Sequence, residues 1–196
     1  DFYWMEKLNG KLFIAAADCT GHGVPGAMVS VICNNALNRA VREHKLSQPG
    51  EILDKVRAIV IQEFEKSDEE VKDGMDIALC SIEGTKIEYA GAHNPLWIIR
   101  KESQEVEEVK ADKQPIGKFD HSTPFTNHNV ALNKGDSIYL FSDGFADQFG
   151  GEKGKKLKSK AFKSLLLKCQ HMQFKDQKKH LDMEFEKWKG DFEQLD

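Results

Sequence analysis

The chain has 196 residues, 28 Lys+Arg against 32 Asp+Glu, a formal charge of −4 and a 40% hydrophobic fraction. That suits one domain with a real core and excludes wholesale disorder. The longest uninterrupted apolar run, Leu12 to Ala17, is six residues, far short of the roughly 20 needed to span a bilayer, so an integral membrane segment is excluded too.

Taken in chain order, Lys11–Ala17 (KLFIAAA) reads as a buried strand. A Gly-rich turn over Thr20–Gly26 follows. Pro25 then stands where a first-turn proline is tolerated, and Met28, Ile32, Ala36 and Ala40 recur at helical spacing, predicting a helix over about 25–43. Ser47 and Pro49 mark a second helix start, with Leu53, Val56, Val60 and Phe64 as its buried stripe. Short β-rich segments come next: Asp76–Ile82, Lys86–Ala90, Leu96–Arg100 and Val106–Lys110, parted by Glu83-Gly84-Thr85 and His93-Asn94-Pro95. They read as an antiparallel meander. Asp136–Phe141 is a further strand, and Lys160–Lys168 and Lys175–Trp188 are helices. Segregated strands and helices argue for α+β rather than a βαβ repeat.

The four cysteines, Cys19, Cys33, Cys80 and Cys169, form no C-x-x-C pair and no zinc spacing with His, and read as reduced thiols of a cytoplasmic protein. The chain begins with Asp rather than Met and shows no signal peptide, so a piece truncated at both ends is expected. Charge is uneven: residues 1–150 carry a net −8 and residues 151–189 a net +7. The crowded Lys153, Lys155, Lys156, Lys158, Lys160 and Lys163 include one aromatic, Phe162, and no Arg. Base stacking and guanine readout would have little to work with, so no nucleic-acid partner is expected. A solvated face, or a docking surface for an acidic or phosphorylated partner, fits better.

Three aspartates stand out by position. Asp18 ends the apolar strand and opens Asp18-Cys19-Thr20-Gly21-His22-Gly23. Asp143 ends IYLFS and meets Gly144, and Asp1 stands just ahead of a strand in DFYW. A carboxylate at the mouth of a buried strand is costly unless something compensates its charge. Taken singly, Asp18 and Asp143 read as turn caps through Asx-type hydrogen bonds. Converging as a set, they would make an oxygen-rich site for a hard cation such as Mg²⁺ or Mn²⁺. His22 could reach a phosphate or merely orient its loop, and His93 reads as a turn-stabilising residue. Asp76 is a strand start or an outer support of a metal site, Asp147 a helix start, and Trp4, Trp97 and Trp188 are packing residues. Cys33 to Arg39 matches the C-x5-R spacing of thiol phosphatases. Cys33 falls mid-helix, however, where the N–H groups are already used and cannot ring a phosphate.

The stretches DFYW, ADCTGHGVPGAMVS, DGMDIALC, YAGAHNPLW, QPIG and GDSIYLFSDGFADQFGG, in that order, resemble the SpoIIE/RsbU-like branch of the metal-dependent protein phosphatases (PPM, type 2C). The resemblance spans nearly the whole chain and extends to the closing WKGDFEQLD. It implies a single SpoIIE-like PPM domain over 1–196, with the α+β fold of a four-layer α-β-β-α sandwich: two antiparallel sheets flanked by helices. It implies two divalent cations, Mn²⁺ or Mg²⁺, with Asp18 bridging both, Asp1 and the Cys19 backbone carbonyl completing one site, and Asp143 and Asp196 the other. Asp18 and Asp143 would then be the catalytic pair, with His22 on the substrate. The implied activity is hydrolysis of phosphoserine or phosphothreonine on a bacterial signalling partner by a metal-activated hydroxide. The implied partner is an anti-anti-sigma-type regulator, and an upstream sensor domain or a homodimer would supply regulation. No membrane contact by this domain is implied. The alternative is a catalytically silent domain of the same fold that binds or scaffolds a phosphoprotein.

Overall fold

A computed structural model describes residues 1–65 and 73–194. In chain order the strands are β1 Phe2–Leu8, β2 Lys11–Cys19, β3 Met75–Glu83, β4 Lys86–Ala92, β5 Leu96–Ile99, β6 Glu107–Val109, β7 His128–Ala131, β8 Ser137–Tyr139, β9 Phe149–Gly150 and β10 Lys155–Lys156. The α-helices are α1 Gly23–Asn38, α2 Pro49–Phe64, α3 Gly144–Asp147, α4 Ser159–Cys169 and α5 Phe174–Lys189. The chain divides into two compact units. One comprises Asp1–Trp97, Glu108–Lys134 and Tyr139–Ser142; the other comprises Ile98–Glu107, Gly135–Ile138 and Asp143–Asp196.

In the first unit a five-stranded sheet has the order β1-β2-β3-β4-β7, every neighbouring pair antiparallel. Asn9 and Gly10 close the first hairpin, both at positive φ (51° and 82°), which is the backbone twist that an Asn-Gly turn supplies. Alternation along β2 buries Phe13, Ala15, Ala17 and Cys19 on one face. There they join Trp4, Ile77, Leu79, Ala90 and Ala92 beneath Val29, Cys33 and Leu37 of α1 and Ile52, Leu53, Val56 and Val60 of α2. Alanines at 15, 17, 90 and 92 keep that face shallow, so helix side chains reach the sheet. Each fully buried Leu or Ile contributes about 1.5–3 kcal/mol of transfer free energy.

The first helix starts two residues before Pro25 and changes character at its end. Arg39–Glu43 is a π-helical turn, and Ala40 and Val41, neighbours in sequence, are both fully buried there. The expected four-strand meander is divided. β3 and β4 belong to the large sheet, while β5 and β6 join β8 in a three-stranded sheet of order β6-β5-β8. All four residues of β5 (LWII) are buried, which an alternating, half-exposed meander strand could not satisfy. β4 pairs instead with β7.

In the second unit Phe145 of α3 stacks on Phe162 of α4 at 4.4 Å and tilts onto Phe185 of α5 at 5.1 Å. Trp188 fixes α5 to the β9 turn: its indole N–H donates to the Gln148 carbonyl at 3.0 Å, and its own carbonyl accepts from Gly151 N–H at 2.8 Å. Asp147 lies in the first turn of α3, as a helix-start residue would, and because the helix is a single turn beginning at Gly144 it also closes it. The α+β class with antiparallel sheets and helices is as expected. Among the described residues no helix is long and apolar enough to cross a membrane.

Candidate active site

β2 delivers Asp18 to the end of an interior strand on the face opposite the helices, half-buried and directly across from Asp76 of β3. Its neighbour Cys19 turns its sulfur inward into the core. The β2–α1 turn is tight. Gly21 sits at φ +84°, and a Cβ on Gly26 would lie 2.5 Å from the Gly21 carbonyl oxygen, so both positions require glycine.

Thr20 ties this turn to a segment more than fifty residues away. Its hydroxyl donates to Asp73 Oδ1 at 2.8 Å and accepts from the Gly74 N–H at 3.1 Å, while its own N–H donates to the Gly74 carbonyl at 3.0 Å. Gly74 in turn lies against Ile116, whose carbonyl oxygen would stand 2.0 Å from a Cβ there. Met75 and Ile116 exchange backbone hydrogen bonds at 3.0 and 2.9 Å. Three of the sequence motifs (ADCTGHG, DGMD and QPIG) thereby meet around one pocket of about 190 Å³, lined among others by Asp18, Thr20, Asp73, Asp76, Ile116 and Lys118. Thr20, Asp73 and Gly74, which hold these loops together, stand within the motifs with no role assigned to them from sequence. Their pairing across more than fifty positions left no local signal.

Asp1 is exposed and accepts a hydrogen bond from the Ser142 hydroxyl at 2.5 Å, so the first residue lies beside the residue that precedes Asp143. Asp143 belongs to the second unit. It flanks the start of α3 without a side-chain cap bond, so the capping alternative is not realised there. Asp143, Asp147, Gln148, Phe149 and Lys156 surround a second pocket of about 200 Å³. The Lys156 ammonium donates to Asp147 Oδ2 at 2.5 Å, and that bond, followed by the nearby carboxylate charges, holds its pKa above the usual range. Asp196, the remaining expected ligand, lies outside the described residues. His22 occupies the N-cap position of α1, exposed and making no cap hydrogen bond. Among the described residues, no group of three or more His, Cys, Asp and Glu side chains is assembled closely enough to hold a metal ion.

Cys33 is fully buried in α1, and Arg39, the other end of the C-x5-R spacing, faces Glu43 and Glu63 at 3.5 Å. A hydrogen bond from Cys33 draws the Cys19 thiol down to about 7, against burial, while the same bond and burial push Cys33 well above the thiol range. The sulfur in the motif position is thus the one held protonated. His93 Nδ1 lies 2.8 Å from Asp76 Oδ1, which joins two residues that the sequence presents separately.

The family described as Stage II sporulation protein E (SpoIIE) matches residues 9–196. The SiaA-PP2C domain of Pseudomonas aeruginosa superposes with a TM-score of 0.88 at 26% identity, covering 100% of this chain and 76% of that one. The PP2C phosphatase domain of SpoIIE from Bacillus subtilis, solved with a fragment of its regulatory domain, gives 0.71 at 17% identity, covering 95% of this chain and 52% of that one. The RsbU and RsbW domains of Rv1364c from Mycobacterium tuberculosis give 0.70 at 21%, covering 92% and 51%. The chain therefore spans about half the length of the last two. No curated protein matches it.

Proposed function

The chain belongs to the SpoIIE family, the SpoIIE/RsbU-like branch of the PP2C-type serine/threonine phosphatases, and from that premise we propose that it hydrolyses phosphoserine or phosphothreonine on a partner protein. The observation that supports this most is the joining of three motif loops around Asp18 through Thr20, Gly74 and Ile116.

Members of this family use divalent cations. The donor set here suits a hard cation: carboxylates and one backbone carbonyl, with the Cys19 sulfur turned into the core. Asp18, Asp1, the Cys19 carbonyl, Asp143 and Asp196 would hold two Mn²⁺ or Mg²⁺ ions. When bound, such ions supply a water of lowered pKa and neutralise charge on the phosphoryl oxygens. The chain's own part is positional. The Thr20–Gly74 pairing fixes the direction in which Asp18 and the Cys19 carbonyl point, and the glycines at 21 and 26 let the loop fold against the helix start. A site that holds its groups ready gains its advantage from that fixed geometry.

The proposed partner is a phosphorylated regulator of the anti-anti-sigma type in the bacterial cytoplasm. A sensor domain upstream, or pairing of two copies, would govern the activity. The domains that accompany the phosphatase in the B. subtilis and M. tuberculosis relatives support that reading.

Hydrolysis of p-nitrophenyl phosphate tests the proposal. Turnover is expected only with added Mn²⁺ or Mg²⁺, abolished by EDTA, and reduced at least about a hundredfold in Asp18→Asn and Asp143→Asn, with Cys33→Ser unaffected. Activity that survives Asp18→Asn but is lost in Cys33→Ser would replace this mechanism with a thiol one. Phosphoprotein binding with no turnover in Mn²⁺ would favour a silent scaffold.

A further inference from the structure

We propose that His93, held by Asp76, is the proton donor to the leaving serine or threonine oxygen. This rests on the phosphatase reading above. Three observations point to it. Asp76 is the direct cross-strand neighbour of Asp18, and both line the same pocket. Facing residues of this kind have Cβ atoms about 5 Å apart, so whatever engages Asp18 comes within side-chain reach of Asp76. Next, His93 Nδ1 is 2.8 Å from Asp76 Oδ1, with the histidine side chain 42% exposed. One ring nitrogen is thus occupied by a carboxylate, and the other is left for an incoming group.

The third observation is the cost of that placement. His93 has φ +57°, a left-handed conformation that a non-glycine residue adopts only when its surroundings impose it. They do so here. The His93 N–H donates to the Asp112 carbonyl at 2.9 Å, Asp112 N–H donates to Gly91 at 3.0 Å, and the Tyr89 hydroxyl donates to the Asn94 carbonyl at 2.7 Å. The Asp112 carboxylate is engaged with Thr126 N–H and hydroxyl. Asp76 is therefore the carboxylate bonded to the ring, and Asp18 and Asp73 are the other acidic groups around the same pocket. A turn needed only to link β4 to β5 could place glycine here without that strain.

A water oxygen bonds to phosphorus while the P–O bond to serine breaks, its electron pair staying on the serine oxygen. The Nε2 proton of His93 passes to that oxygen, giving the neutral hydroxyl and a neutral imidazole, which regains a proton from solvent. The water's surplus proton leaves to solvent, and the products are the alcohol and hydrogen phosphate. Asp76 accepts from Nδ1–H and fixes the ring throughout, as a carboxylate orients a catalytic histidine elsewhere.

Leaving-group dependence tests this, because an alkoxide needs a proton as it departs and p-nitrophenolate does not. His93→Asn preserves tolerance of positive φ. With Mn²⁺, it is expected to lose about a hundredfold in kcat on a phosphoserine peptide, but no more than about threefold on p-nitrophenyl phosphate, with an unchanged melting temperature. Asp76→Asn is expected to lose about tenfold on the peptide alone. Long-range ¹H–¹⁵N spectra of the metal-free protein, taken at a pH high enough to leave the ring neutral, should show His93 as the Nδ1–H tautomer that remains once the Nε2 proton has been given up, a preference lost in Asp76→Asn. Equal losses on both substrates, no loss on either, or an Nε2–H tautomer in the unmutated chain would overturn the proposal. A wild-type chain that hydrolyses neither substrate would overturn the phosphatase reading along with it.

Discussion

Gly74 shows how much of the site is decided by the absence of a single methyl group. A Cβ at this position would stand 2.0 Å from the Ile116 carbonyl oxygen and 3.0 Å from its carbon, both backbone atoms of a segment bonded to Met75 on either side. Neither can retreat without breaking the Met75–Ile116 exchange. Gly74→Ala is therefore expected to destabilise the chain by at least about 1–3 kcal/mol, read as a lower urea midpoint, and to lower activity by displacing the Thr20 contact. The placement of Asp18 at the end of an apolar strand was legible in the sequence, but taken singly it reads there as a turn cap, and only as one of a set does it suggest a cation site. Its support was not. The Thr20 bonds reach Asp73 and Gly74, more than fifty positions on, and sequence spacing says nothing about contacts made by loops that fold back. His93 and Asp76 were each visible, one as a turn residue and one as a strand start, and only the distance between them makes them a pair.

At the scale of elements, the central strands are joined by charge as well as by backbone, on the same face that Phe13 shares with the helices. Glu88 of β4 accepts from Lys11 of β2 and from Ser81 of β3, each at 3.0 Å. Burial alone would raise its pKa, but these donors outweigh it and hold the carboxyl below its ordinary 4.5. A carboxylate depressed in the folded state contributes stability above its unfolded pKa, and that contribution is lost as pH falls through the folded value. Glu88→Gln is therefore expected to cost about 1 kcal/mol near pH 7, with the gap closing as pH drops below about 4.5; urea titrations at a series of pH values measure it. A gap that persists at low pH would assign the loss to packing instead. Elements with strong periodicity were legible. The α2 stripe and the apolar core of β2 fall where the pattern put them, with ends shifted by a residue or two. β7 (HNVA) was missed because its two apolar members, Val130 and Ala131, are adjacent and show no period. The β4–β5 connection was misread because a short run of alternating residues does not say which sheet it will join.

At the scale of the whole molecule, the family motifs run in order from one end of the chain to the other, and the match over residues 9–196 agrees with them. Composition limited the possibilities without selecting among them, and the charge division between residues 1–150 and 151–189 marks a basic segment that became β10, α4 and α5. Most lysines of that segment's first turn are exposed, in keeping with a solvated face. The claim on which the rest depends is that the end of β2 holds a hard divalent cation through Asp18. Titration calorimetry of Mn²⁺ into the metal-free chain tests it most directly. The wild-type chain is expected to bind, and Asp18→Asn, which keeps the size of the side chain but removes its charge, to bind at least about a hundredfold more weakly. Equal affinity for Mn²⁺ in the two chains would contradict it.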